Sequence, residues 1–356
     1  MIVALDGTPL TVSTGGVRRY TEELARALGA KFPDDRYHWI SDQRFHSPRD
    51  LPANLIAEVR KPHNFIDRRW WLIGVQRDMN RIGAELFHGT EFSVPYLPLR
   101  PAVLTLHDLS PWMNREWHFG ADRVRKRTPL LIGLGLATMI ITPTEAVRAQ
   151  AMEFFRIHPD RVIAIPEAAG THFRPVPPEN EHEAYFLYVG TLEPRKNLLT
   201  VIDAWREVRR RHDVELVLAG RRREDFPKLP DEPGLRVLGE TLERELPALY
   251  SGAVASLYPS LYEGFGLPVL EAMQCGTAVI TTRDPAISEV SGGAAIHIDA
   301  TDTKSWMAAM ELMLIKPDEL ANRRERSLRQ AREFSWARTA QRTREVYVEA
   351  FRRFGS

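Results

Sequence analysis

Two acidic residues eight positions apart, Glu263 and Glu271, bracket the glycine-rich turn Gly264-Phe265-Gly266 and Leu267 in the stretch LYEGFGLPVLEAMQC. Carboxylates accept hydrogen bonds from hydroxyls. Glycines let the chain turn tightly and bring backbone N–H groups close to a ligand, and a helix beginning at the turn offers unpaired N–H groups to phosphate. One segment thus presents acceptors for sugar or ribose hydroxyls and donors for phosphate, the two needs of a nucleotide-sugar. A second cluster lies upstream, in Thr191-Leu192-Glu193-Pro194-Arg195-Lys196-Asn197. Cations are unfavourable near a helix N-terminus unless an anion compensates, so Arg195 and Lys196 point to an anionic ligand. His107-Asp108 closes the apolar run AVLTL, and a histidine beside an aspartate at that position is a site candidate.

These residues need elements to hold them. Val254–Tyr258 reads as a buried strand before the acidic turn, and Leu267–Met273 as the short helix after it. Tyr185–Gly190, YFLYVG, reads as a strand ending at Gly190, followed by the cation pair and the helix LLTVIDAWREVRRR. In the first half, Ile2–Asp6 is a strand, Gly15-Gly16 falls in the loop after it, and Val17, Tyr20, Leu24, Ala27 and Leu28 share one face of the next helix. Further strands are expected at Tyr37–Ser41, Glu85–His88, Ala102–Leu106, Thr138–Thr142 and Arg161–Pro166, then at Val214–Gly220, Leu235–Gly239 and Thr277–Thr282. Phe65–Ile82 is amphipathic. Thr144-Glu145 should start a helix, Asp302–Phe334 should be largely helical, and Ser335-Trp336 should open a final amphipathic helix to about Phe354. Strand–helix alternation throughout implies parallel sheets on right-handed crossovers. Phe173–Glu183, with Pro175, Pro177, Pro178 and three glutamates, reads as an extended linker between the halves.

The motifs together resemble the Glu-x7-Glu signature of retaining glycosyltransferases in family four, which have the GT-B fold, and the likeness extends over nearly the whole chain. It implies an α/β fold of two Rossmann-like parallel-sheet domains facing a cleft, with the C-terminal helix crossing back to the first domain. The expected division is 1–172 with 336–356 for the acceptor-binding domain and 173–335 for the nucleotide-sugar domain. The resemblance further implies that Arg195 and Lys196 bind the donor diphosphate, with Gly190 and the backbone around Gly264, Phe265, Gly266 and Leu267 beside it. Glu263 would hold a donor-sugar hydroxyl, and Glu271 the ribose hydroxyls. Glu240 and Thr241 would lie near the base, Gly15 and Gly16 near the donor phosphates or the acceptor, and His107 with Asp108 facing the donor sugar. Two departures stand out: Ile165-Pro166-Glu167-Ala168-Ala169-Gly170 replaces the common Ile-Pro-Asn-Gly-Val, and Ala278 stands where proline is frequent.

Charge must be stabilised on the departing phosphate by fixed donors. The chain has no Asp-x-Asp triplet, so the expectation is catalysis without a metal, with anomeric retention by same-face attack. GDP-mannose is the first choice of donor, and a UDP- or dTDP-sugar the second. The acceptor would be a glycan or lipid-linked glycan in bacterial surface polysaccharide synthesis.

The 356 residues suit two domains. With 48 basic and 47 acidic residues there is no global pull towards nucleic acid. The single cysteine, Cys275, fits a reducing cytoplasm. The N-terminus lacks signal-peptide features, and the longest apolar run, Pro129–Ile141, is too short to span a bilayer. Glu116–Lys126 interleaves Trp117, His118 and Phe119 with basic residues; this is either a solvated helix face or a peripheral contact with the inner membrane. A nicotinamide dehydrogenase is disfavoured because the first turn lacks G-x-G-x-x-G. A GT-B-like sugar-nucleotide epimerase and a non-catalytic nucleotide-sugar-binding protein remain as alternatives.

Overall fold

Short apolar runs rich in Val, Ile, Leu and aromatics become strands, buried on both faces except at edges such as Leu235–Gly239, and the amphipathic stretches between them become crossover helices. The computed structural model describes residues 1–12, 15–45, 50–59, 69–118, 120–177 and 183–354. Phe65 to Arg68, Phe119, and Pro178 to His182 of the expected linker lie outside the described residues. The chain divides into two units, residues 1–167 with 335–356, and residues 168–334.

The first unit runs β1 (Ile2–Asp6), α1 (Gly16–Lys31), β2 (Arg36–Ser41), β3 (Leu55–Val59), α2 (Val75–Ile82), β4 (Leu86–Gly89), β5 (Ala102–Thr105), α3 (Ser110–Met113), α4 (Asp122–Gly133), β6 (Met139–Thr142), α5 (Glu145–Phe155) and β7 (Val162–Ala164). Its strands are all parallel in the order β3-β2-β1-β4-β5-β6-β7. The chain fills one side of β1 and then returns to lay β4 on the other, with Leu5 opposite His88. The C-terminal ends of β1 and β4 therefore flank a topological switch point, where open α/β sheets bind ligands. Thr144 caps α5 by accepting from the Val147 N–H at 3.2 Å, as its position before Glu145 predicts. On α1 the buried stripe is Tyr20, Thr21, Leu24, Ala25 and Leu28; Val17 and Ala27 are half-buried.

The second unit runs β8 (Tyr185–Val189), α6 (Leu198–Arg209), β9 (Glu215–Ala219), β10 (Leu235–Gly239), α7 (Leu246–Gly252), β11 (Ala255–Tyr258), α8 (Leu267–Gln274), β12 (Ala278–Thr282), α9 (Pro285–Ser291), β13 (Ile296–Ile298), α10 (Thr303–Ile315) and α11 (Pro317–Ala331). Its parallel order is β10-β9-β8-β11-β12-β13, so its switch point lies between β8 and β11.

The last helix, α12 (Trp336–Phe354), returns to the first unit. It buries Trp336, Thr339, Ala340, Thr343, Val346, Tyr347 and Ala350, a stripe at helical spacing. Arg344 Nε donates to Asp35 at 2.7 Å, and Thr339 Oγ1 donates to the Pro166 carbonyl at 2.7 Å.

Strands β3 and β13 were not expected from sequence: each is a short segment at or near a sheet edge. The apolar run 129–141 splits between the end of α4, a turn and β6. Among the described residues no helix is long and apolar enough to cross a membrane. The start of the expected linker is packed: Phe173 is buried against Tyr250, and Gln274 Nε2 donates to the carbonyls of Gly170 and Phe173 at 2.9 and 2.8 Å. Those bonds tie residues 170–173 to α8.

Candidate active site

In the second unit the turn leaving β8 is fixed by backbone geometry. Gly220 sits so close to this turn that a Cβ on it would stand 1.9 Å from the Gly190 carbonyl oxygen. Pro194 opens a single 3-10 turn, Pro194–Lys196, which Asn197 ends with a left-handed φ of 53°. Asn197 Nδ2 donates to the Ala300 carbonyl at 2.7 Å, and its Oδ1 accepts from Thr200 at 2.9 Å. The turn leaving β11 docks on it, Leu261 N–H donating to the Arg195 carbonyl at 2.9 Å. Segments 67 residues apart thus share the switch point.

There Arg195, Lys196 and Glu263 form one cluster, each 8% exposed. Arg195 Nη1 donates to the Tyr262 carbonyl at 2.6 Å and lies 3.3 Å from a Glu263 oxygen, and its Nη2 donates to Glu193 at 3.0 Å. Lys196 Nζ donates to Tyr258 at 3.0 Å and pairs with Glu263. The other donors to Glu263 are the hydroxyls of Tyr258, at 3.1 Å, and Ser260. Arg223 pairs with the other Glu193 oxygen at 2.9 Å and with Asp225. Burial pushes the Glu263 carboxyl up, but Lys196 and Arg195 outweigh it and hold it at about 2. Burial and the neighbouring Arg195 push the Lys196 ammonium below its ordinary range, against the pull of Glu263. The carboxylate is ionised at neutral pH and is the anion that both cations face.

Gly266 caps α8 with a φ of +94°, a conformation strained for any side chain. The Gly264–Leu267 turn is buried. Glu271, on α8, is 1% exposed and accepts from Tyr250 at 3.2 Å. Asp284 accepts from the Glu263 backbone N–H at 3.3 Å and caps α9 through Ile287 at 3.0 Å. Burial pushes its carboxyl up to about 6.

In the first unit, His107 and Asp108 follow β5. His107 Nε2 lies 2.8 Å from the Thr90 carbonyl, and Nδ1 lies 3.1 Å from Glu167. The Thr90 carbonyl can only accept, so Nε2 carries a proton and donates to it, and Nδ1 faces the Glu167 carboxyl. Burial lowers its pKa, but Glu167, the Thr90 carbonyl and Glu91 prevail and raise it. Tyr20 packs edge-on at 4.7 Å. Asp108 turns back to accept from Ser110 N–H at 2.9 Å and its hydroxyl at 2.6 Å. Deeper in, His88 bonds the hydroxyls of Thr105 and Tyr347 at 2.8 and 2.7 Å, and burial pushes its pKa down to about 3. Gly15 and Gly16 sit exposed at the N-terminus of α1, Gly15 with a φ of +132°.

The anticipated residues therefore fall into two sets, each at the C-terminal edge of its own sheet. Gly190, Arg195, Lys196, Glu263, Gly264, Phe265, Gly266, Leu267 and Glu271 surround the second switch point. Glu240 and Thr241 follow β10, the edge strand two positions from β8, with Thr241 bonding the Gly239 carbonyl at 3.3 Å. Gly15, Gly16, His107 and Asp108 lie in the first unit. Sequence reading missed Glu193, Tyr258, Ser260 and Asp284. It left Glu167 and Arg223 without a role. Tyr258 and Ser260 stand five and three residues before Glu263, and Glu193 two before Arg195, but only fold neighbourhood brings these two segments together. A further signal was that Glu193 and Asp284 adjoin strand-end loops.

A family model described as group 1 glycosyl transferases matches residues 171–333, and one described as glycosyltransferase family 4 matches residues 14–171. The O-antigen chain mannosyltransferase B of Escherichia coli is 30% identical over 364 residues, covering 93% of this chain and 92% of that protein. A glycogen synthase of Mycobacterium tuberculosis strain H37Rv is 26% identical over 396 residues, covering 99% and 95%. Among solved structures, Anabaena Alr3699/HepE in complex with UDP-glucose aligns at a TM-score of 0.75 with 16% identity, covering 98% and 99%.

Proposed function

The chain belongs to the group 1, family 4 glycosyltransferases, and from that membership we propose that it moves a mannosyl residue from GDP-mannose to a glycan or lipid-linked acceptor in bacterial surface polysaccharide synthesis. The observation that carries the reading is the buried pair Arg195 and Lys196, held on the turn after β8 beside the turn after β11. Breaking the anomeric bond leaves growing negative charge on a phosphate, and fixed cations in a water-poor site lower that cost without reorganising. Lys196 spends two of its three N–H groups on Tyr258 and Glu263, which leaves one for a diphosphate oxygen. The side-chain cations take the part a divalent ion has elsewhere, so no metal is required.

Glu263 is ionised and suits a donor-sugar hydroxyl, and Glu271 suits the ribose. His107, held between the Thr90 carbonyl and Glu167, positions the sugar and need not act as a base. The acceptor's proton then passes to the departing phosphate oxygen as the acceptor attacks from the same face, with retention. Mannose is favoured by the likeness to a protein named as a mannosyltransferase along nearly its whole length. The likeness to a glycogen synthase favours a glucosyl donor as the second reading. Lys126, Leu130 and Leu134 recur at helical spacing on and just after α4, with Leu130 and Leu134 58% and 65% exposed. That ridge supports work at the cytoplasmic face of the membrane.

The test is a thermal-shift panel of GDP, UDP and dTDP, followed by donor turnover and anomeric NMR of the product, with and without EDTA. GDP should stabilise most, and turnover should persist in EDTA with retained configuration. Stabilisation by UDP alone would remove the mannose reading. Activity abolished by chelation and restored by a divalent ion would remove the metal-free one.

A further inference from the structure

The first unit contains a pocket of about 400 Å³ that none of the residues discussed so far explains. It lies at the C-terminal edge of the sheet, since Asp42 directly follows β2. Trp70 and Trp71 belong to a π-helical turn, Trp70–Gly74, that leads into α2. Tyr96 is tied to this turn by its N–H donating to the Trp71 carbonyl at 2.8 Å. Arg69 and Arg123 bring two guanidinium groups to the lining from separate elements. The Trp71 ring is fixed from other sides, by Phe87 edge-on at 6.1 Å and by Arg127 at 5.5 Å.

Trp70 is 7% exposed, and its indole N–H has no acceptor among the described residues. Asp42 is the carboxylate of the lining; burial pushes its pKa up, and the Arg123 charge pulls it back. The lining therefore offers aromatic faces, two cations, the Asp42 carboxylate and the neutral polar groups of Thr8 and Gln43. Rigid aromatic walls with a few convergent polar groups are the make-up of a small-molecule site.

We infer that this pocket binds the acceptor as a negatively charged saccharide: Trp71 and Tyr96 take the sugar ring, Arg69 and Arg123 take its phosphate or carboxylate, and Asp42 accepts from a hydroxyl. The assignment rests on the glycosyltransferase reading and names the acceptor class that reading left open. The charge has two possible sources, the diphosphate joining a glycan to a lipid or an acid group on the sugar itself.

Calorimetry on the full chain with saturating GDP distinguishes them. The probes are farnesyl diphosphoryl-N-acetylglucosamine, mannose 6-phosphate, glucuronic acid and neutral methyl mannoside. At least one charged probe should bind about ten-fold tighter than methyl mannoside, and Arg123→Gln should weaken it by about ten-fold, the worth of one charge-assisted contact, while GDP affinity stays put. Which charged probe binds best identifies the source. Equal binding of neutral and charged sugars, or charged binding indifferent to both Arg123→Gln and Arg69→Gln, overturns the inference. Failure of every nucleotide to bind would instead sink the transferase reading, so the two failures are separable.

Discussion

The buried pair of Lys196 and Glu263 can be weighed by a double-mutant cycle, Lys196→Met with Glu263→Gln. At 3.3 Å and an effective dielectric of about 20, the neighbouring Arg195–Glu263 attraction alone is about 5 kcal/mol. The carboxyl gives a second route: it sits at about 2 against an ordinary 4.5, which corresponds to about 3 kcal/mol net of its burial cost. Removing one partner of a buried pair costs about 3–5 kcal/mol, because the other charge stays behind in the interior. Lys196→Met should fall at or below the low end, since Glu263 keeps Arg195, Ser260 and Tyr258. Glu263→Gln should cost about 3 kcal/mol, since Lys196 then has only a neutral partner. The double variant removes both charges and should cost about 1–2 kcal/mol, giving a coupling of up to about 4–5 kcal/mol. Urea unfolding of the second unit at pH 7 measures all four corners. Single effects that add to within about 0.5 kcal/mol would refute the ion-pair account. The carboxyl's folded pKa lies below its unfolded one, so its contribution is complete above 4.5 and lost as pH falls towards 2; Glu263→Gln should abolish that slope. The cycle also separates structure from function. If Lys196 meets the donor phosphate, GDP affinity should drop about ten-fold in both Lys196→Met and the more stable double variant. Restored stability with restored affinity would mean that Lys196 serves only the fold.

Glu167→Gln should move the His107 titration to lower pH, because burial then acts without the carboxylate that opposes it; an unmoved imidazole resonance in an NMR titration would show that other groups hold the charge. His88, held neutral with a pKa of about 3, should cost the first unit stability as pH falls below 6.5, by about 2 kcal/mol at pH 5. His88→Gln should remove that part of the loss from the urea midpoints, and identical pH dependence in both proteins would refute it. Gly220→Ala forces a Cβ against the Gly190 carbonyl oxygen at a φ of +149°, and should destabilise the second unit by about 3 kcal/mol or more; a melting temperature within a degree of the parent would show that the turn can yield.

Most of the elements were legible because apolar runs and helical stripes report which face of a segment is buried. The strand ending at Tyr258, the helix from Leu267 and the cap at Thr144 all follow from such local signals. Periodicity does not report which strands are neighbours. Lys196 and Glu263 meet because β11 lies beside β8, although β9 and β10 intervene in the chain. Glu167 likewise reaches His107 from the end of β7, 60 residues away. The departure from the usual motif at Glu167 was visible, but its partner was not. Trp70 in its π-turn, with Asp42 and Arg123, was hidden for the same reason: the pocket wall is assembled from five separate segments.

The cations at the start of α6 show where the sequence argument needed a further step. Two positive charges at a helix N-terminus require a counter-charge, and from sequence alone a bound anion was the natural supplier. The protein supplies its own, Glu263 and Glu193 facing Arg195 and Lys196. The cluster is thus balanced before any ligand arrives. A diphosphate joining it brings like charge to within reach of Glu263, which costs several kcal/mol unless that carboxylate gains new donors. Hydroxyls of the sugar attached to the same diphosphate are such donors, and an ionised diphosphate without its sugar lacks them. On the proposed function, Glu263 therefore penalises bare diphosphate more than the intact donor, and selectivity for the sugar-bearing nucleotide follows from the same ion pair that holds the second unit together.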